Sequence, residues 1–307
     1  MILEGLKFAV VREDPTLEER LVERFSLRRP LLVASGGCTV LTLATRGDLE
    51  RITAFDLNPA QLTHVERKAE ARGDLAALGT VDDPSSLAQC GAFEGLFRVL
   101  RRFVEEFVVG PERLTAYFER GERSVAREML AAPYWPAAFA TTFNDPFLHA
   151  MFGPAATQHA EQGSYPGYFR RVFERGLLRD DGPDNPFLQH VFLGRYRVAP
   201  RFATEPARTP WELVRGTLLD VRELGRFDLF SLSNVFDWSD DDLVSAWATA
   251  LTRESRPGSV ILLRQLNNHR DLRAFFPEHR FDDALGRELF ERDRSLFYER
   301  IEVGVRA

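Results

Sequence analysis

The sequence predicts an α/β protein: a doubly wound, largely parallel sheet with a large, mostly helical insertion between its second and third strands. Three observations predict it. Leu31 to Ala34 is a short apolar run that stops at Ser35-Gly36-Gly37, a helix-compatible stretch runs from Thr39 to about Arg46, and a second run, Ile52 to Phe55, ends on Asp56. Strand, glycine turn, helix, strand and acid is the order of a parallel βαβ unit. The pattern returns at 211–234, where Glu212 to Asp220 and Phe227 to Asn234 read as strands ending in acidic or small polar residues. From Gly73 to about Pro210 the chain reads mostly as helices and loops.

Residues 8–15, Phe-Ala-Val-Val-Arg-Glu-Asp-Pro, lead into a helical segment from Thr16 to about Phe25, with Thr16 and Glu19 spaced as a capping box. Glu13 and Asp14 precede it, either as solvated acids or in a loop near the glycine turn. Pro59 suits the first turn of a helix to about Arg72, with Leu62, Val65, Lys68 and Ala69 at helical spacing. Ala92 to Val109 carries apolar residues at i, i+3, i+4 and i+7, the mark of an amphipathic helix. Pro111–Glu119, Val125–Leu130 and Tyr168–Arg175 read the same way more weakly, and prolines at 133, 136, 146, 154, 166, 183, 186, 200, 206 and 210 divide the region. Asp240 to Thr252 predicts a helix capped by Ser239 or Asp240, and Pro257-Gly258 turns the chain into the buried-strand run Ser259–Arg264. Residues 295–306 supply a last strand, expected antiparallel. The sheet domain is thus 1–73 with 211–307, and the insertion, an acceptor-binding region or lid, is 74–210.

At 307 residues the chain is long enough for a sizeable core, and 44% hydrophobic and 28% charged residues are globular values. A net charge of −6 gives no support to nucleic-acid binding. Two cysteines, Cys38 and Cys90, make neither a disulfide framework nor a metal site and fit a reducing compartment. No leader and no run of 18 apolar residues is visible, so a cytoplasmic protein, in peripheral contact with membranes if its acceptor is a lipid, is the expectation.

Ligands of such sheets bind beyond the carboxyl ends of the strands, where the strand order reverses. Gly36-Gly37, Asp56, Asp220 and Ser233-Asn234 are all expected at strand ends. Asp56 lies 20 residues after Gly36, the distance at which an acid meets ribose hydroxyls. The turn lacks the G-x-G-x-x-G pattern, since Cys38-Thr39-Val40 follows the glycine pair, and this points to adenosine without a pyrophosphate rather than to a dinucleotide. S-adenosylmethionine is such a ligand.

These residues resemble a known family. Ala34-Ser-Gly-Gly-Cys-Thr39 followed by Ala54-Phe-Asp-Leu-Asn-Pro-Ala-Gln61 is similar to the signature of the BtaA-like S-adenosylmethionine:diacylglycerol 3-amino-3-carboxypropyltransferases. The likeness extends to Glu13-Asp-Pro15, to Asp228-Leu-Phe-Ser-Leu-Ser-Asn-Val-Phe-Asp-Trp238 and to Asp293-Arg-Ser-Leu-Phe-Tyr298. The chain departs from the family at Thr39, usually asparagine, and at Arg12, usually aromatic. The resemblance implies a class I methyltransferase-like Rossmann sheet and transfer of the 3-amino-3-carboxypropyl group, with S-adenosylmethionine as co-substrate, to a hydroxyl acceptor. Diacylglycerol is the first expectation for that acceptor.

By resemblance and position, Ser35, Gly36 and Gly37 would line the ligand's amino-acid or ribose portion, and Asp56 would hold the ribose with Asn58 and Gln61 beside it. Asp220 would meet the adenine amino group, and Ser233 and Asn234 would floor the pocket. Arg264 would pair with the ligand carboxylate or form a structural ion pair. A general base for the acceptor is sought among Asp237, which alternatively partners the helix cap near Ser239, and His149, with His159, His190, Tyr298 and Asp293 behind them. Methyl transfer, non-catalytic binding of S-adenosylmethionine or lipid, and a dehydrogenase are the competing readings, the last disfavoured by the incomplete glycine pattern.

Overall fold

A computed structural model describes residues 5–307. Its centre is a seven-stranded mixed sheet formed by β1 (Pro30–Val33), β2 (Ile52–Asp56), β3 (Trp211–Arg215), β4 (Leu229–Ser231), β5 (Val260–Gln265), β6 (His279–Phe281) and β7 (Arg300–Arg306), in the order β3-β2-β1-β4-β5-β7-β6. Strands β1 to β5 are parallel; β7 runs antiparallel to both β5 and β6. The fold is therefore α/β and Rossmann-like, with the order reversing between β1 and β4.

Alternation along the strands divides the apolar side chains between two faces. Leu31, Phe230, Ile261 and Leu263 pack under α12 (Asp241–Glu254), against Val244, Trp247 and Leu251. Leu32, Ala54, Leu229 and Leu262 face the other way, in one continuous core with α1 (Thr16–Phe25), α2 (Cys38–Ala44) and α3 (Pro59–Glu70). Burial on both sides explains why these strands are apolar at successive positions.

Between β2 and β3 the described chain is helical. It holds α4 (Ala92–Phe107), α5 (Pro111–Arg120), α6 (Ser124–Ala131), α7 (Trp135–Thr142), α8 (Asp145–Phe152), α9 (Tyr165–Leu178), α10 (Pro186–Phe192) and the short α11 (Arg201–Thr204). Four of the prolines expected to fragment this region, at 136, 146, 166 and 186, instead stand in the first turns of α7, α8, α9 and α10, and Pro111 does the same in α5. There the missing N–H has no intrahelical partner to lose and φ is already helical. After β5, α13 (Asp283–Arg292) completes the set.

Three local expectations are corrected. The third strand ends at Arg215, not Asp220, because Gly216 (φ 143°) and a capping box between Thr217 and Asp220 open a 3-10 turn. Thr16 and Glu19 form no capping box; Pro15 occupies the N-cap and the Asp14 carboxylate accepts from Thr16 N at 3.2 Å. Strand β6 and helix α13 have no counterpart in the sequence reading. β6 is a three-residue edge strand, too short for an alternation to show.

Candidate functional site

The site is built where β1 and β4 diverge. Both strands end in a serine with left-handed backbone, Ser35 (φ 44°) and Ser233 (φ 54°). A non-glycine residue costs of order 1–2 kcal/mol there, so two such turns side by side mark a region fixed by its surroundings. The fixing groups are identifiable. Asp56, at the tip of β2, accepts from Ser35 N at 3.0 Å through one oxygen and from Asn58 N at 2.9 Å through the other. Burial pushes its carboxyl up to about 6 against the pull of those two N–H groups. The residue remains partly exposed, and each carboxylate oxygen keeps a lone pair beyond its backbone bond.

The glycine pair has a different neighbour from the one expected. A Cβ on Gly36 would lie 2.7 Å from the Val10 backbone, and one on Gly37 2.7 Å from the Val65 side chain. The close approach that glycine permits is thus made at Gly36 by the chain's own residues 5–14, a strap buried from Ala9 to Asp14, and at Gly37 by Val65 of α3. Asn58 and Gln61, expected beside a ribose, hold this strap. Asn58 Nδ2 donates to Gly5 O, Gln61 Oε1 accepts from Lys7 N and Phe8 N, and Gln61 Nε2 donates to Phe8 O. Glu94, wholly buried, accepts from Ala9 N at 2.8 Å, and Lys68 bridges Ala9 O and Gly36 O. A lysine inside the apolar stripe of α3 was a readable signal of this buried role.

The strap delivers Glu13 to the tip of β4. Neither Glu13 nor Asp14 is a solvated acid: they are 6% and 0% exposed. One oxygen of Glu13 accepts from Ser233 Oγ and, at 3.3 Å, from the Tyr298 hydroxyl; the other faces Arg264 Nη1 at 3.1 Å. Arg264 also meets Glu18 at 2.8 Å and donates to Ser231 Oγ at 3.2 Å. Of its two expected roles, Arg264 therefore takes the structural ion pair, and its guanidinium is shared between two buried carboxylates. Burial, with Glu13 adding to it, raises the Glu18 carboxyl above its ordinary value against the opposing pull of Arg264. The Tyr298 phenol is raised well above the usual range by burial, then by Glu13.

The other candidates have other tasks. Asp237 is buried and clasps two loops, accepting from Leu266 N at 2.8 Å, Asn268 Nδ2 at 2.7 Å and Asn234 Nδ2 at 3.4 Å. Burial raises its carboxyl to about 6, those donors opposing, and the donors leave it ill placed as a base. His149 is exposed on α8, 2.6 Å from Thr157 Oγ1. His159 Nε2 contacts Ser239 O at 2.7 Å, and His190 is buried between Arg12 and Ala88 O. Asp293 accepts from Ser295 N and Oγ inside its own loop. Asp220 is exposed, its carboxylate taken by Thr217 N and Oγ1. The structure thus brings Ser35 to Asp56, and brings Glu13, which the sequence leaves between a solvated acid and a loop near the glycine turn, to Ser233 and Tyr298; Glu18, which the sequence reading does not single out, meets Ser231 from 213 positions away.

Two exposed leucines rise beside Asp56. Gly216 N donates to Asp56 O, so Leu57 and the turn carrying Leu219 leave adjacent strand ends, and both side chains are about half-exposed. Aromatic side chains cover the side toward β4: Phe152 packs on Trp238 and stacks on Phe8, which meets Phe93. Two cavities lie elsewhere. One, of about 650 Å³, is lined by Arg67, Asp74 and Ser86; the other, of about 360 Å³, by Arg273, Phe290 and Arg300. Among the described residues no group of His, Cys, Asp or Glu side chains is arranged to hold a metal ion, and no helix is long and apolar enough to cross a membrane.

Comparison with known proteins returns no match: no family model matches the chain, and neither does a curated protein or a solved structure.

Proposed function

We propose that the protein is a transferase that moves the 3-amino-3-carboxypropyl group of S-adenosylmethionine to a hydroxyl acceptor, diacylglycerol being the first candidate, and releases methylthioadenosine. The observation that carries this reading is the placement of Ser35, Asp56 and Ser233 around the strand-order reversal of a sheet ordered β3-β2-β1-β4-β5-β7-β6, the arrangement of class I methyltransferase-like folds. The direction of transfer rests on the residues that resemble the BtaA-like transferases, not on a match to the family.

In this reading the free lone pairs of Asp56 accept the ribose hydroxyls, and Leu57 and Leu219 offer apolar surface to the two faces of adenine. Ser35 and Ser233 border the amino-acid arm. The helices between β2 and β3 bring aromatic side chains to the same end of the sheet, where an acyl chain has apolar partners. The half-exposed Phe147 stands on the helix that carries Phe152. A sulfonium is a good leaving group, so holding the acceptor oxygen about 3–3.5 Å from the γ-carbon, in line with the breaking bond, is the main task.

Methyl transfer would use the same pocket with the ligand turned, and product identity separates the two. Incubation with S-adenosylmethionine and diacylglycerol, followed by mass spectrometry, is expected to yield methylthioadenosine. S-adenosylhomocysteine in its place would replace the proposal with methyl transfer, and a chain that binds no S-adenosylmethionine would end both.

A further inference from the structure

We infer that Glu13 is the proton sink of the transfer reaction, acting through the Tyr298 hydroxyl. The inference rests on the transfer reading above and adds to it the fate of the acceptor's proton.

Glu13 is held at a point where two hydroxyls converge. Ser233 Oγ and Tyr298 Oη both donate to the same carboxylate oxygen, and Arg264 Nη1 lies 3.1 Å from the other. Two consequences follow from the inventory of donors and acceptors. A carboxylate placed against two O–H groups and a guanidinium is set to accept from all three. Its two hydroxyl partners, each with its proton directed at Glu13, present lone pairs on their remaining sides, and a hydroxyl arriving next to Tyr298 must donate to it. Burial keeps the Tyr298 phenol protonated, so it passes a proton on rather than holding a negative charge.

The charged and titratable groups around Glu13 and Tyr298 come from several elements, with Asp237 following β4 and Arg12 and Asp14 flanking Glu13 in the strap. Arg264 lies on β5, Glu18 on α1, and Tyr298 and Asp293 in the loop before β7. The Arg264 guanidinium is shared by Glu13 and Glu18.

The step balances. The acceptor oxygen attacks the γ-carbon of the aminobutyrate arm, a carbon–oxygen bond forms, and the carbon–sulfur bond breaks with its electron pair left on sulfur as a neutral thioether. The acceptor's proton moves to the Tyr298 oxygen while the phenolic proton moves to Glu13. Sulfonium and carboxylate, one positive and one negative charge, are both neutral afterwards, so the buried site is not left with an uncompensated ion. Glu13 thus acts as a positioning residue and proton acceptor behind Tyr298, with Arg264 holding its other oxygen.

The test uses the full chain with S-adenosylmethionine and dioleoylglycerol in detergent micelles, comparing wild type, Glu13→Gln, Tyr298→Phe and the double variant. Glutamine keeps the shape and accepts the same hydroxyls but takes no proton. Each single variant is expected to release methylthioadenosine about 100-fold more slowly or worse, the usual scale of general acid–base catalysis. Affinity for S-adenosylmethionine should be unchanged, and the double variant should be no slower than the worse single, because both belong to one relay. Glu13→Asp, which keeps the charge and shortens the reach, is expected between wild type and Glu13→Gln. It also serves should Glu13→Gln fail to fold. Losses that multiply in the double variant, a rate loss explained by weaker S-adenosylmethionine binding, or a fully active Glu13→Gln would each overturn the relay while leaving the transfer reading in place. A wild-type protein that releases no methylthioadenosine would instead remove the transfer reading, and the relay with it.

Discussion

Asp56 shows how one side chain can serve both the fold and a ligand. Its two oxygens fix Ser35 N and Asn58 N and so set the turn after β1 and the start of α3. Burial raises its carboxyl from the ordinary 3.8 to about 6. Ribose hydroxyls donate, so they favour the ionised form, and a ligand that binds it should bring that raised pKa down. The sign is then fixed: S-adenosylmethionine affinity is constant above pH 6 and falls below it, by up to about tenfold per pH unit. Calorimetric titration between pH 5 and 8 checks this, and a flat profile would remove Asp56 from the ligand. Asp56→Ala should weaken binding by about 10- to 100-fold, the worth of a hydrogen bond to a charged group, with the circular dichroism spectrum unchanged.

At the scale of elements, two separate motifs of the sequence turn out to be halves of one clasp. Asp14, in Glu13-Asp-Pro15, receives Arg294 Nε at 2.6 Å and Nη2 at 2.7 Å, and Arg294 comes from Asp293-Arg-Ser295. The N-terminal strap is thereby fastened to the loop that carries Tyr298. Burial raises the Asp14 carboxyl, but Arg294 outweighs it and the net shift is downward. The stabilisation is therefore present above pH 3.8 and lost as the pH falls through the lowered value. Arg294→Met should cost about 2–3 kcal/mol in urea unfolding at pH 7, less than the loss of a wholly enclosed pair because Arg294 itself is 39% exposed. The deficit should shrink as the pH falls below 3.8, and a deficit as large there as at pH 7 would show that the charge pair is not its source. The same pairing shows what one sequence can disclose. Helices with an apolar stripe, such as α4, and parallel strands read directly because their signal is local and periodic. The partner of Asp14 lies 280 positions away, so no spacing rule reaches it. The glycine pair misled for a related reason: an absent Cβ announces a close approach but not whether a ligand or Val10 makes it.

At the scale of the molecule, the sequence divides into a sheet region and a helical region at 74–210, yet one apolar core crosses that boundary. Leu32, Leu229 and Leu262 of the sheet belong to the same buried cluster as Phe97, Phe139 and Phe173 of the helices. Phe297, from the loop before β7, packs against Phe93, Phe97, Phe169 and Phe173. Regions that each owned a core would unfold separately; regions that share one lose its burial together. At 307 residues the chain exceeds the size at which a single transition is the rule, which makes the expectation discriminating. Differential scanning calorimetry should show one peak whose calorimetric and van't Hoff enthalpies agree. Phe297→Ala, which empties the seam between the two regions, should cost about 3–5 kcal/mol and move that peak to lower temperature as a whole. Two resolved peaks, or a variant in which only one component shifts, would show that the helices fold as an independent unit. In that case the strap and the clasp at Asp14, rather than the shared core, would be what couples the helices to the site.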